Sequence, residues 1–296
     1  MKMSKSASMI CALVTTFIWG TAFIAQDTGM DNIGPLTFNS ARFFVGFLTI
    51  LPIALIFEKK KIGLEISSKS KVFYKYLLFM GISLFLGTFL QQAALQYTNI
   101  ANAAFFTVFY VPLVPVLLFL IYSNKVHWSI WPSIGLCIFG VYLLSDFSNS
   151  EIMLGDSLVI LCSVFWALHI IFAGKFMEIF DIPMFYAALQ ALFVATLSLL
   201  FSYLFEEINF SNILLESSSI IYAGVLSGGI AFTLQMFAQK NIEETPAAII
   251  YSLEGVFAAI AGWIILDQFL NLSNIFGCFL ILIAVIFSQL SPSSKN

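Results

Sequence analysis

Long apolar runs recur along almost the whole of this chain, and they limit what it can fold into. Runs of 18 residues or more are long enough for a helix to cross about 30 Å of hydrocarbon. The 296-residue sequence is 60% hydrophobic and 10% charged, whereas about a quarter of the residues of a soluble domain are charged. A transmembrane β-barrel would show segments of about ten residues that alternate between polar and apolar, and these runs do not alternate. The sequence therefore predicts an all-α polytopic membrane protein.

The apolar runs divide into ten predicted transmembrane helices, and we expect no cleaved signal peptide before the first. The predicted bounds are 7–26, 36–57, 75–96, 101–122, 129–146, 155–175, 183–205, 217–239, 246–266 and 272–290. Short connections make neighbouring helices antiparallel. Only residues 58–74, "EKKKIGLEISSKSKVFY", form a predicted loop of appreciable length and charge.

The positions of the basic residues predict the orientation of the chain. With the N-terminus in the cytoplasm, twelve lysines fall on the inner side: Lys2, Lys5, Lys59, Lys60, Lys61, Lys69, Lys71, Lys75, Lys125, Lys175, Lys240 and Lys295. The thirteenth basic residue, Arg42, lies within the second span, so no outer loop carries a lysine or arginine. The outer loops carry acids instead: Asp27, Asp31, Asp146, Glu151, Glu206, Glu207, Glu216 and Asp267. This partition supports ten spans with both termini in the cytoplasm.

The two halves of the chain are related to each other. Residues 90–106 align with residues 234–250 at an offset of 144, which pairs Gln91 with Gln235. We predict two domains of five spans each, residues 1–148 and residues 149–296. Because five is an odd number, the second half enters the membrane from the opposite side. Inverted repeats of this kind recur in secondary transporters, with the substrate site at the repeat interface near the midplane.

Three stretches resemble the repeats of a known family. "GDSLVILCSVFWALHIIFAGKF" (155–176) resembles the opening of the second EamA repeat in the drug/metabolite transporter (DMT) superfamily. Residues 245–288, which begin "TPAAIIYSLEGVF", are similar to the end of that repeat, and "TTFIWGTAFIAQ" (15–26) is similar to the opening of the first. The chain departs from the family pattern at Gly255, where proline is common, and in the turn "YSNKVHW", which lacks the common Gly-Glu pair.

The resemblance implies an EamA-like ten-helix transporter in the inner membrane of a bacterial or archaeal cell. It implies transport of small metabolites without ATP, with amino acids as the leading substrate class and export as the favoured direction. The mechanism would be alternating access of the two halves around a central cavity, with protons as one candidate coupling ion. Two alternatives stay open: an importer of nucleosides or other small solutes, and a non-transporting membrane receptor or scaffold.

Glu254 is the first candidate site residue. It lies eight residues into the ninth span, about 12 Å deep at 1.5 Å per residue and close to the midplane. An ionised carboxylate that faced lipid at this depth would cost on the order of several kcal/mol, so it must face protein or a watery cavity. It would bind substrate or carry a coupling proton. The alternative is a structural carboxyl that is hydrogen-bonded to a neighbouring helix.

Arg42 is the only arginine of the chain and lies about 9 Å below the outer surface by the same rise. It would meet a substrate carboxylate or Glu254, or else snorkel to the outer headgroups or pair structurally. Asn39, one helical turn earlier, adds a hydrogen-bond donor and an acceptor.

Five further residues are candidates for lining the cavity. Trp19 and Trp166 align at a repeat offset of 147 and lie inside their helices, so they either pack or form cavity walls. Gln91 and Gln235 either line the cavity or bridge helices. His169 is a candidate proton carrier or a neutral, satisfied histidine.

Several classes of protein lack support in the sequence. No GxxxxGK[ST] run indicates an ATP-driven pump, and no HExxH or GxSxG motif indicates an enzyme. The four cysteines lie in apolar runs without CxxC spacing, so we expect free thiols and no metal or cofactor. The expected partners are a small-molecule substrate and the lipid bilayer, and no nucleic acid.

Overall fold

A computed structural model describes residues 3–98, 100–144, 154–265 and 269–290 of the chain. These residues are almost entirely helical, and no strand occurs among them. Nine helical stretches within these ranges are long and apolar enough to cross a membrane, and Ile130–Leu144 is a shorter apolar helix. The chain is therefore a ten-helix polytopic membrane protein, as the sequence predicts.

The helices have the following bounds. They are α1 (Lys5–Thr28), α2 (Pro35–Phe57), α3 (Lys59–Ser68), α4 (Ser70–Ala94), α5 (Ile100–Thr107), α6 (Tyr110–Tyr122), α7 (Ile130–Leu144), α8 (Leu154–Ile179), α9 (Pro183–Phe205), α10 (Phe210–Leu215), α11 (Ser217–Tyr222), a π-helical segment (Ala223–Ala231), α12 (Phe232–Ala238), α13 (Glu244–Tyr251), α14 (Leu253–Ile265) and α15 (Leu272–Leu290). Spans one to three are α1, α2 and α4; span four is α5 with α6; spans five to seven are α7, α8 and α9. Span eight is α11 to α12 with the π-helical segment, span nine is α13 with α14, and span ten is α15.

The prediction that residues 58–74 form a loop is wrong, because this stretch is helical. It contains α3 and the first turns of α4. Ile62 and Ile66 are four residues apart on one face of α3, and both pack against an apolar cluster that includes Phe180. This short amphipathic contact folds the segment as a helix although its composition is that of a charged loop.

Spans four and nine are broken at equivalent positions of the two repeats. Span four is interrupted between α5 and α6, where the Val108 carbonyl accepts from Val111 N at 2.8 Å, since Pro112 has no N–H to donate. Span nine is interrupted at Ser252, which is 144 residues after Val108. No proline is present there, and the Ser252 hydroxyl donates back to the Ile249 carbonyl at 2.6 Å, a bond that bends helices.

The packing of the spans follows the repeat. If every span is replaced by its equivalent in the other half, five places along the chain, the same pairs of spans are in contact. Span two packs on span seven, and span five packs on span ten. Span one packs on span nine as span six packs on span four. Span three packs on span six as span eight packs on span one. This pairing is that of two inverted five-helix repeats.

The predicted boundary between the two domains, at residues 148 and 149, lies outside the described residues and stays a prediction. The predicted outer acids Asp146, Glu151 and Asp267 also lie outside them.

Candidate substrate-binding site

A narrow cavity lies between the two repeats and is walled by spans one, two, three, four, six, eight and nine. The enclosed space is small, about 30 Å³, and it reaches about 500 Å³ only when the open space at its mouth is included. The lining residues are Trp19, Phe23, Gln26, Arg42, Thr88, Gln91, Tyr110, Trp166, Ile170, Ser227, Phe232, Tyr251 and Glu254.

Residues at equivalent positions of the two repeats line this cavity together. Four such pairs, at offsets of 144 or 147, line it: Trp19 with Trp166, Phe23 with Ile170, Thr88 with Phe232, and Tyr110 with Glu254. The cavity therefore straddles the axis that relates the repeats, which is where secondary transporters bind their substrates.

Aromatic side chains form one wall of the cavity. The Trp19 and Trp166 ring centroids are 6.2 Å apart, and Phe232 stacks on Trp166 at 6.1 Å with an interplanar angle of 8°. Tyr251 meets Trp19 edge-on at 5.5 Å. Both tryptophans line the cavity. Such a wall can accept an apolar group, and its ring faces attract a cation.

Glu254 reaches the cavity with 6% of its surface exposed. The Tyr110 hydroxyl donates to Glu254 Oε1 at 3.5 Å, and no lysine, arginine or histidine nitrogen in the described ranges lies within 4 Å of this carboxylate. Gly20 allows span one to approach here, because a Cβ on Gly20 would stand 2.6 Å from the Glu254 carbonyl oxygen. The carboxylate therefore faces protein and cavity, away from lipid.

Arg42 is 2% exposed and lies inside the protein, away from the outer headgroups. Its Nε donates to Asn39 Oδ1 at 2.8 Å, and Asn39 Nδ2 donates to the Thr88 carbonyl at 3.2 Å. The guanidinium lies 4.9 Å from the Phe43 ring centroid and 5.5 Å from that of Phe38. It forms no ion pair with Glu254 or with any other carboxylate of the described chain.

Three of the eight predicted site residues stand behind the lining of the cavity. Asn39 holds Arg42, as described above. His169 Nε2 lies 2.7 Å from Gln190 Oε1, and the imidazole stands edge-on behind the aromatic wall. Gln235 Nε2 donates to Gln239 Oε1 at 3.0 Å, so this amide bridges within span eight. Its partner in the repeat does line the cavity, since Gln91 is a lining residue that also donates to Thr107.

The sequence analysis missed several lining residues, of which Tyr110 and Tyr251 matter most for chemistry. The repeat offset of 144 that relates the two glutamines also places Tyr110 opposite Glu254, and this signal could have found it. Tyr251 precedes Glu254 by three residues, which is one helical turn. The part of the chain that the structure describes holds no group of three or more His, Cys, Asp or Glu side chains that could bind a metal.

Ten helices in two inverted repeats, with a cavity at their interface, are the architecture of a secondary transporter. Comparison with protein families gives a match to the EamA-like transporter family over residues 6–146 and again over residues 153–290. The chain belongs to the EamA-like transporter family, and the resemblance to the drug/metabolite transporters is confirmed.

Three relatives illustrate how far the similarity extends. An uncharacterized transporter of Archaeoglobus fulgidus is 31% identical over 96% of this chain and 86% of its own length. The uncharacterized transporter YoaV of Bacillus subtilis is 22% identical over 97% of this chain and 98% of its own. A solved crystal structure shares the fold with a TM-score of 0.75 and 15% identity, over 97% of this chain and 98% of that one.

Proposed function

We propose that this protein is a secondary transporter that exports small metabolites across a bacterial or archaeal cell membrane, with amino acids as the leading class. One observation carries the proposal: a buried cavity at the repeat interface combines an aromatic wall with one cation and one anion that are not paired with each other. An amino acid carries the matching groups. The protein uses no ATP and catalyses no covalent reaction in this proposal.

Alternating access is supported by the helix breaks of spans four and nine. The breaks at Val108 and Ser252 lie within two residues of the lining residues Tyr110 and Glu254. Discontinuous helices at the substrate site are typical of transporters built from inverted repeats. Equivalent hinges on the two sides of one cavity would let the halves open it first to one side of the membrane and then to the other.

A second cavity supports a route to the side that carries the lysines. Its volume is about 1790 Å³ when the open space at its mouth is included. Lys5, Lys125 and Lys175 are among its lining residues. It shares spans one, four, six and nine with the central cavity. Elsewhere on this side Lys61 and Lys240 both pair with Asp181. Lysines from five different places in the sequence thus meet at one end of the bundle, which supports cytoplasmic termini and substrate entry from the cytoplasm.

Counterflow in liposomes tests the proposal. Purified protein is reconstituted into vesicles loaded with unlabelled leucine or phenylalanine, and the uptake of the labelled amino acid is followed. We expect transient accumulation that protein-free vesicles do not show, with proton gradients of either sign then used to test for a coupling proton. Exchange of nucleosides without exchange of any amino acid would favour the importer instead. Absence of exchange for every solute tested would favour a receptor or scaffold.

The direction of transport is tested in cells. A strain that lacks the protein should retain more of the amino acid after it is loaded with a dipeptide, and plasmid-borne protein should restore the efflux. Faster loss of the amino acid from the deletion strain would contradict export.

A further inference from the structure

We infer that the central cavity is a two-pole site for a zwitterion, in which Arg42 binds the carboxylate of the substrate and Glu254 binds its ammonium group. This inference rests on the proposed function, because it assigns the recognition chemistry of the same site. It adds that a ligand with only a carboxylate, or only an amine, can pair with just one of these two residues.

Arg42 forms the pole for the carboxylate. Nε is the only nitrogen of Arg42 with a hydrogen bond in the described part of the chain, and it is held by Asn39. Asn39 is itself fixed by its bond to the Thr88 carbonyl, so it is a positioning residue that leaves the two terminal nitrogens of Arg42 for a ligand. A guanidinium presents these donors in a planar fork that matches the two oxygens of a carboxylate. A buried charge without such a partner is costly, which favours an anionic ligand.

Glu254 forms the pole for the ammonium group. Tyr110 is its only hydrogen-bond partner among the described residues, at the long distance of 3.5 Å, so its oxygens can accept from a ligand. Trp19 and Tyr251 belong to the aromatic wall of the same cavity, and their ring faces favour a cation beside the carboxylate. Tyr251 lines the same cavity, and its buried hydroxyl has no hydrogen-bond partner in the described ranges.

The absence of an ion pair between Arg42 and Glu254 among the described residues selects between classes of ligand. Arg42 and Glu254 line one cavity, yet no nitrogen of the first lies within 4 Å of an oxygen of the second. An acid without an amino group would leave Glu254 unpaired, and an amine without a carboxylate would leave Arg42 unpaired. Only a ligand with both groups pairs both residues. Trp166 and Phe232 line the same cavity, and their rings offer a surface for an apolar or aromatic side chain.

Three matched compounds test the inference on the purified, full-length protein. Phenylalanine carries both charges, 3-phenylpropionate lacks the ammonium group, and 2-phenylethylamine lacks the carboxylate. Affinity is measured by isothermal titration calorimetry in detergent or nanodiscs, with thermal shift as a second readout. We expect phenylalanine to bind at least about tenfold more tightly than either of the others, as the loss of one buried charge partner implies.

Variants of the two poles should give a crossed pattern. In Arg42→Gln, phenylalanine should lose its advantage over 2-phenylethylamine. In Glu254→Gln, it should lose its advantage over 3-phenylpropionate. Asn39→Asp places a carboxylate against Arg42, so it should weaken phenylalanine and 3-phenylpropionate and leave 2-phenylethylamine bound as before. Glu207→Gln removes an exposed charge and serves as the matched control.

The outcomes separate this inference from the proposed function. If the wild type binds all three compounds equally, or if each pole variant weakens all three by the same factor, the two-pole site is wrong while amino-acid transport stands. If the wild type neither binds nor exchanges any amino acid, the proposed substrate class fails, and the inference fails with it. If Arg42→Gln does not fold, Arg42→Lys, which keeps the charge without the fork, must still prefer phenylalanine over 2-phenylethylamine.

Discussion

Glu58 and Glu206 cap each other's helices from opposite faces of the membrane. Glu58 directly follows α2, and its carboxylate accepts from two backbone amides at the start of α9, at 3.1 and 2.8 Å. Glu206 directly follows α9, and its carboxylate accepts from two backbone amides at the start of α2, both at 2.8 Å. Both helices begin with a proline, Pro35 and Pro183, whose missing N–H costs nothing there. Spans two and seven are therefore joined by capping hydrogen bonds at both ends of the pair.

These reciprocal caps should contribute measurably to the free energy of unfolding. We expect Glu58→Ala and Glu206→Ala each to lower the free energy of unfolding by about 1–2 kcal/mol, since each leaves two amides of a helix start without their carboxylate. Burial raises the pKa of Glu58, although its two backbone amides act in the opposite direction. We therefore expect Glu58→Ala to lower the free energy of unfolding by less than Glu206→Ala does. The measurement is thermal and denaturant unfolding of the purified protein.

The control for the caps is Glu207→Ala, which removes an exposed carboxylate next to Glu206. Because the two caps lie at opposite faces, the double variant should lose the sum of the single losses. Equal stability of Glu206→Ala and Glu207→Ala would show that the cap contributes nothing measurable.

Close backbone contact between spans one and nine gives a second prediction. A Cβ on Gly20 would stand 2.6 Å from the Glu254 carbonyl and 2.8 Å from Ala258 N, and backbone atoms cannot move aside as a flexible side chain can. We expect Gly20→Ala to displace span nine and to weaken substrate binding together with stability. Gly135→Ala is the matched control, since nothing lies within 4 Å of a Cβ at that position. Unchanged affinity and melting temperature in Gly20→Ala would contradict this packing.

The ten spans could be predicted from the sequence because hydrocarbon thickness sets the length of every apolar run. Buried charges were also predictable, since Arg42 and Glu254 in apolar spans require protein partners or a cavity. The sequence did not reveal which polar side chains would face the cavity and which would stand behind it. Gln91 lines the cavity and Gln235 bonds within its own span, although the two align in the repeat. That difference depends on how each helix is rotated against its neighbours, which hydropathy does not encode.

Orientation in the membrane gives a third prediction. The lysine partition places Asp31 and Asn209 outside and Ser68 inside the cell, and all three are exposed. In a variant whose native cysteines are replaced, a cysteine at Asp31 or Asn209 should react with an impermeant thiol reagent added to intact cells. A cysteine at Ser68 should react only after the cells are opened. Labelling of Ser68 from outside would refute the proposed orientation.

The last prediction separates the three roles open to Glu254. Glu254→Gln keeps the shape of the side chain and an oxygen that can accept from the Tyr110 hydroxyl, but it removes the charge and the titration. If Glu254 binds the ammonium group of the substrate, amino-acid exchange should fall by at least about tenfold, with the same loss in proton-driven transport. The measurement is counterflow and gradient-driven flux in the same vesicles over a range of pH.

Each alternative role predicts a different result. A carboxyl that carries only a coupling proton would let exchange survive in Glu254→Gln, while driven transport would lose its pH dependence. A purely structural carboxyl would leave both rates and the pH profile as in the wild type. In that case Glu254→Leu, which cannot bond to Tyr110, should still destabilise the fold, because the buried Tyr110 hydroxyl would lose its acceptor. Wild-type exchange and pH profile in Glu254→Gln would therefore refute both functional roles and leave only the structural one.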